Sequence, residues 1–503
     1  MTPEISPVDN NRSNDTDKNV GRRSARWDIN NAGSNYLSLL LTHIGTALFS
    51  FAGVWFLTQY IGTEGYGGVV AFIAASQMVQ IFLNWSSSAL ARFGIEEFVQ
   101  TGKITRFFWA RSLIYISNLT LILLAAGLWL GHVSNWLKIP LGSSWLIVIH
   151  LVTSSLWMHV QYALQGVKLH RLQGGLLTAE RMLVFASLLC LVVFGSLTWE
   201  RALWCYILSP LVVTGVAVLY LTPFIEIRNL FDLNHLRIIL RFSIPLVPVA
   251  IVGYLTTSQL DAVFITRYLS TSDLGIYAVA AQINGMVLQL TILANTLLLS
   301  MFVSLRADGM AEMVSKYLDQ VLPFVSFLWS GICVLIAATS AMLLPLVFGD
   351  VFRPSIDPLF ILLLSSGISA PMMFGYQSFS NAISTTHFST AASVLAAIVN
   401  ISLNFLLIPK YGLMGCAIAT FFSVATMTFT VILLCGTRVT VQWKALLVAM
   451  FPTLVSIISV LVFKSLWISV AVFFAVAIIP AISMQRAALQ AIDSLSRLLL
   501  QTR

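Results

Sequence analysis

The sequence predicts an all-α integral membrane protein of about fourteen transmembrane helices, built as two parallel six-helix lobes with two extra helices at the C-terminal end. Three observations carry this expectation. Of 503 residues, 58% are hydrophobic and only 10% are charged, with a mean hydropathy of +0.88, whereas charged residues make up about a quarter of an ordinary soluble domain. Apolar runs of about 20 residues, enough to cross about 30 Å of hydrocarbon as helix, recur along the whole chain. One segment also repeats: Phe56–Val79 aligns without a gap on Phe264–Val287, with Phe56/Phe264, Thr58/Thr266, Tyr60/Tyr268, Thr63/Thr271, Gly67/Gly275, Met78/Met286 and Val79/Val287 identical.

Residues 1–35 are polar, rich in Asn, Asp, Arg and Ser, and contain no apolar core. They read as a disordered cytoplasmic tail and not as a cleavable signal peptide. The first lobe, 36–222, takes the apolar runs 36–60, 67–88, 108–131, 144–165, 177–198 and 201–222. A basic cytoplasmic connector, 223–241, leads to the second lobe, 242–435, with runs at 242–267, 274–303, 320–347, 358–384, 389–408 and 412–435. The remainder, 436–503, holds runs at 443–463 and 465–484 and a C-terminal tail. The repeat matches the exit of span 1, the turn and span 2 to the same parts of spans 7 and 8, so the repeat unit is six spans. Six is even, so both units enter the membrane in the same orientation and are related by an axis along its normal.

With the N-terminus in the cytoplasm, all 28 Lys and Arg except Lys138, Arg201, Arg267, Arg353, Lys410 and Lys464 fall on the cytoplasmic side. This satisfies the positive-inside rule and places both termini in the cytoplasm. The net charge of +8 is then a topology signal and an attraction to anionic lipid, with no nucleic-acid partner implied. The five cysteines lie in or at the ends of spans with no C-x-x-C spacing, indicating neither a disulfide framework nor a metal site. There is no G-x-x-x-x-G-K-[ST] phosphate loop for ATP, and the outer connections are too short for a catalytic domain. The expectation is a transporter, not an enzyme, with no bound cofactor.

Polar residues inside the spans fall at helical spacing. Gln77, Gln80, Asn84, Ser88 and Arg92 form one stripe on span 2, and Tyr254, Thr257, Ser258 and Asp261 follow i, i+3, i+4, i+7 on span 7. Gln282 and Gln289 on span 8, Asn381 on span 10, and Asn400 and Asn404 on span 11 add polar faces. Together they are candidates for lining a hydrated central cavity, although such residues also join helices by hydrogen bonds. Asp261 is the one acid deep inside an apolar run, where a carboxylate costs about 3 kcal/mol on insertion scales. It reads as a proton- or cation-coupling or gating carboxylate, a structural partner for a cation such as Arg267, or a substrate contact. Arg92 and Arg267 are candidates for binding an anionic head group, since a guanidinium fork matches phosphate oxygens.

Asn381–Thr420, with Asn400 and Asn404 spaced by four, Pro409 at the span end, and Gly412 and Gly415 opening the next span, resembles the polysaccharide-repeat-unit (Wzx-type) flippases of the MATE-like (MOP) exporter superfamily. Asp261 with Gly275, Tyr277 and Ala280, and Arg92 in SALARFGIEEF, are similar to other motifs of that family. The resemblance implies a multi-pass carrier of the bacterial inner membrane that moves an undecaprenyl-pyrophosphate-linked oligosaccharide to the outer leaflet for O-antigen, capsule or exopolysaccharide synthesis. Alternating access would be coupled to protons or sodium, with lipid and the polymerase and chain-length proteins of glycan assembly as partners. The alternatives are a cation-coupled multidrug (MATE) exporter, or a flippase of another lipid-linked glycan such as lipid II.

Overall fold

The computed structural model describes residues 14–137, 141–227, 233–247, 251, 254, 258–307, 309–383, 385–463, 465–478 and 480, and their side chains from Leu41 onward except those of Leu137, Leu141, Leu246, Ser258, Ala307, Thr386 and Leu461. The described residues are helical with no strand. Eleven of these helices are long and apolar enough to cross a membrane, and a shorter apolar helix covers Leu466–Ile478. The protein is thus a multi-pass helical membrane protein; the eleven are counted among the described residues, and one of them, Leu41–Asn84, is 44 residues long and takes in two of the expected spans.

The first lobe comprises α1 (Asn14–Asn84), α2 (Ser87–Thr101), α3 (Thr105–Leu137), α4 (Trp145–Gly166), α5 (His170–Val193) and α6 (Trp199–Leu221). Helix α1 holds two apolar arms, because Gly62 at φ 67°, ψ −170° breaks its course where a side chain would be strained. Helix α1 also reaches back to Asn14, through much of the stretch expected to be a disordered tail. No proline interrupts residues 14–35, and extending an existing helix costs far less than nucleating one; residues 1–13 lie outside the described part. Helix α5 starts at His170, ahead of the expected 177, and its first turns pack on α1, where a Cβ on Gly174 would lie 2.7 Å from Thr42 Oγ1. Thr178 Oγ1 donates to the Thr42 carbonyl at 3.3 Å.

The connector, expected as a basic linker, carries α7 (Leu233–Ser243). Leu236, Ile239 and Leu240 share one face of it and pack into the first lobe's apolar cluster. Just before it, Glu226 pairs with Lys103, and its carbonyl accepts from Trp109 Nε1 at 2.8 Å. The connector is therefore fastened to the first lobe.

The second lobe holds α8 (Ser258–Tyr268), α9 (Thr271–Ala307), α10 (Ala311–Lys316), α11 (Leu322–Phe348), α12 (Ile356–Ile368), α13 (Gln377–Ala382), α14 (Thr386–Tyr411) and α15 (Leu413–Cys435). Helix α16 (Trp443–Phe463) packs on α11 and α12, outside the lobe interface. Residues 466–478 join it through Ser459 and Ser469, whose hydroxyls lie 3.0 Å apart.

The two lobes meet reciprocally beside the Gly62 break within α1. A Cβ on Gly67 would lie 1.8 Å from the Thr271 carbonyl oxygen, and a Cβ on Gly275 would lie 2.1 Å from the Thr63 carbonyl oxygen. Thr63 and Thr271, like Gly67 and Gly275, are equivalent positions of the sequence repeat. Each lobe thus offers the other the same glycine-on-carbonyl contact about a local two-fold. Thr63 Oγ1 and Ser272 Oγ lie 2.7 Å apart beside it, and Trp55 Nε1 and Gln59 Nε2 both donate to the Val347 carbonyl at 2.9 Å. This end of the molecule is closed.

Candidate functional site

Directly inside that closure lies a cavity of about 360 Å³ between the lobes. The first lobe supplies Thr46, Ser50, Tyr66 and Gln77 from α1, Arg181 from α5 and Tyr206 from α6. The second supplies Gln259 from α8, and Tyr277 and Gln282 from α9. Arg181 is the one charged residue in the lining. Its Nη2 stands 3.9 Å from Glu180 Oε1, while Glu180 Oε2 is taken by Trp157 Nε1 at 3.0 Å. The acid is thus turned toward α4, and the guanidinium is left facing the cavity.

Asp261 sits behind the cavity wall, 3% exposed. Tyr277 Oη and Thr420 Oγ1 each donate to its Oδ2 at 3.0 Å, and Asn404 Nδ2 donates to its Oδ1 at 3.3 Å. Asn404 Nδ2 also reaches Asn400 Oδ1 at 3.0 Å. Four helices build this cage, α8 with Asp261, α9 with Tyr277, α14 with Asn400 and Asn404, and α15 with Thr420. No cation pairs with the carboxylate among the described residues. The pair with Arg267 that the sequence left open does not form, because Arg267 lies exposed beyond the cage. Asn404 Oδ1 is buried and has no partner, so an unused acceptor sits beside the carboxylate. Tyr277 belongs to both features, lining the cavity and holding Asp261.

On the other side of the same helix seam runs an apolar groove of about 530 Å³. Ala74, Gln77 and Ala262 face the cavity, while Ala75, Met78 and Val263, their immediate neighbours, face the groove. Phe82, Trp85, Trp129 and Trp136 complete it, and its polar group Asn118 is spent on the Phe82 carbonyl at 3.1 Å.

The residues singled out from sequence separate into three places. Gln77 and Gln282 line the cavity. Asn400 and Asn404 belong to the Asp261 cage. Tyr254 Oη donates to the Ala74 carbonyl across the lobes at 3.4 Å, whereas Gln289 is exposed and Asn381 is half-buried at the end of α13. Thr257 and the side chain of Ser258 lie outside the described residues. The span 2 stripe is not one face, because the chain breaks at Trp85–Ser86 between α1 and α2. Beyond Gln77, Gln80 Nε2 bonds Ser154 Oγ at 3.4 Å, and Asn84 turns toward Ser87. Arg92 is exposed on α2, with its guanidinium 4.9 Å from the Phe242 ring centre. Neither Arg92 nor Arg267 reaches the cavity. The cavity cation is Arg181, which sequence reasoning missed because, next to Glu180 at the start of span 5, it was counted with the cytoplasmic-side cations of the positive-inside pattern. Among the described residues no three His, Cys, Asp or Glu gather as a metal site.

The fold, a two-lobed helical bundle with a polar cavity at its pseudo-symmetric seam, has counterparts among solved structures. The lipid II flippase MurJ in its inward closed conformation aligns over 89% of this chain and 98% of its own, with a TM-score of 0.68 at 12% identity. An inward-facing multidrug resistance MATE family transporter of the MOP superfamily covers 80% of this chain and 98% of its own, at 0.56 and 12%. The Vibrio cholerae MATE transporter VcmN in its bent form covers 84% and 98%, at 0.51 and 14%. The family model described as polysaccharide biosynthesis protein matches residues 63–357, more than half of the chain. The chain belongs to that family. No curated protein matches its sequence.

Proposed function

We propose that the protein is a flippase that carries an undecaprenyl-pyrophosphate-linked oligosaccharide from the inner to the outer leaflet of the bacterial inner membrane for surface glycan assembly. The observation that carries this reading is the pairing of a polar cavity, whose one charged lining residue is Arg181, with an apolar groove across a single helix seam. A pyrophosphate and a hydrated glycan cannot enter hydrocarbon, whereas a polyprenyl tail stays there at no cost. Arg181 and the glutamines would hold the head group, and the groove would hold the first isoprene units. A multidrug exporter for cations would want carboxylate in the cavity, and the lining contains none.

With both termini cytoplasmic, the glycine contact closes the outer mouth, and rocking of the lobes that breaks this contact opens the cavity to the outer leaflet in its turn. The caged Asp261, with an unused amide oxygen beside it, supports coupling to a proton or sodium ion. Its link to the cavity through Tyr277 gives the ion a route to sense the substrate. Polymerase and chain-length proteins of glycan assembly are the expected partners downstream. The test is deletion of the gene, followed by measurement of lipid-linked repeat units in each leaflet. Accumulation in the inner leaflet with loss of surface glycan supports the reading, and unchanged delivery refutes it.

A further inference from the structure

Helix α3 carries a second guanidinium that the transport cycle does not use. Arg111 is 0% exposed. Its Nη2 donates to the Leu83 carbonyl at 2.7 Å and to Ser87 Oγ at 2.9 Å. Its guanidinium carbon lies 5.7 Å from the centre of the Tyr115 ring, which covers it. Its Nε and Nη1 have no partner, and no acidic side chain pairs with it among the described residues. A buried charge left in this state is costly, and proteins normally answer it with an opposite charge.

The surroundings hold further unused donors. Ser87 is the first residue of α2, a 15-residue helix whose preceding residue, Ser86, makes no side-chain cap bond. The free amide groups of such a first turn, together with the helix dipole, favour an anion. Ser86 Oγ and Asn84 Nδ2 are both buried without partners, and Ser87 Oγ joins the cluster by donating to Asn84 Oδ1 at 3.5 Å. The nearest other titratable groups are His159, Tyr115 and Tyr162. His159 Nε2 lies 3.1 Å from Ser112 Oγ, its Nδ1 has no partner, and its ring stacks on Tyr115 with centroids 5.5 Å apart. Tyr115 Oη in turn lies 2.9 Å from Ser155 Oγ. None of these brings a negative charge.

We propose that the break between α1 and α2 is a binding site for one small inorganic anion of the halide class, held by Arg111, Asn84, Ser86 and the opening amides of α2. Every one of these side-chain atoms is shut off from solvent, so the ligand must be small enough to be enclosed, which excludes a lipid head group or an oligosaccharide phosphate. The site is separate from the cavity around Arg181. Its anion fastens the end of α1 and the start of α2 onto α3, as a resident component and not as cargo.

The test uses the full-length protein purified in detergent with gluconate as the sole small anion, titrated with chloride or bromide at constant ionic strength. Halide should raise Tm saturably by several degrees, sulfate and phosphate should not, and bromide-soaked crystals should show an anomalous peak beside Arg111. Arg111→Gln should abolish the shift. If that variant does not fold, Ser86→Ala and Asn84→Ala should each weaken the halide dependence roughly tenfold. An identical Tm in gluconate and bromide, or a shift that survives these substitutions, would overturn the site. A sulfate effect equal to that of halide would overturn its assigned ligand.

Discussion

Tyr277 lines the inter-lobe cavity and at the same time donates its hydroxyl to Asp261 Oδ2 at 3.0 Å. The substrate space and the buried carboxylate are therefore one side chain apart. A change of charge or position at Asp261 moves a cavity wall, and a substrate pressing on that wall disturbs the carboxylate.

Tyr277→Phe removes this link without altering cavity volume appreciably. Transport driven by an imposed proton or sodium gradient should fall by about tenfold or more, the loss expected for a hydrogen bond to a charged group worth about 1.5–3 kcal/mol. Head-group binding at equilibrium should stay near that of the unaltered protein. Asp261→Asn should behave alike, and undiminished driven transport in both variants would remove Asp261 from coupling.

Arg181→Gln should weaken binding of a soluble pyrophosphate-sugar analogue by roughly ten- to a hundredfold, as for a lost charge-assisted bond. Arg92→Gln and Arg267→Gln should leave it unchanged, since neither side chain lines the cavity. Isothermal titration of the three purified variants separates these outcomes.

Gly67→Ala would bring a methyl group 1.8 Å from the Thr271 carbonyl oxygen. That contact cannot be relieved by a side-chain rotation, so the lobes must part at the closed end. Labelling of a cysteine at Ser272 by an impermeant maleimide, slow in the unaltered background, should become fast. Conversely, Thr63→Cys with Ser272→Cys should cross-link on oxidation and arrest transport until reduced.

Ala125→Trp fills part of the apolar groove. It should slow movement of the polyprenyl-linked substrate while leaving binding of the tail-free analogue intact. Equal effects on both ligands would detach the groove from the tail.

The membrane class, the repeated segment and the isolated carboxylate at Asp261 were legible because each leaves a one-dimensional trace: apolar length, matched residues at a fixed offset, and a charge in an apolar run. The repeat even named the contact, since Thr63/Thr271 and Gly67/Gly275 were among its identities, but not that the glycines face each other's carbonyls. Asn400 and Asn404 stood out by spacing, yet only the fold shows them turned to Asp261 and away from the cavity. Arg181 did not stand out because, beside Glu180 at the start of span 5, it reads as one more cytoplasmic-side cation of the positive-inside pattern. The turn at Trp85–Ser86 contains neither Gly nor Pro, so the break that dissolves the span 2 stripe and buries Arg111 against α2 carries no local signal.

The most direct measurement reconstitutes the purified protein in liposomes with a fluorescent undecaprenyl-pyrophosphate oligosaccharide, and follows its appearance in the opposite leaflet by glycan-specific enzyme access. Translocation that depends on the protein, is reduced by Arg181→Gln and is blocked by the oxidised Thr63→Cys, Ser272→Cys pair is the expected result. Protein-independent movement of the lipid, or protein-driven export of an amphipathic cation with no movement of the lipid-linked glycan, would contradict it.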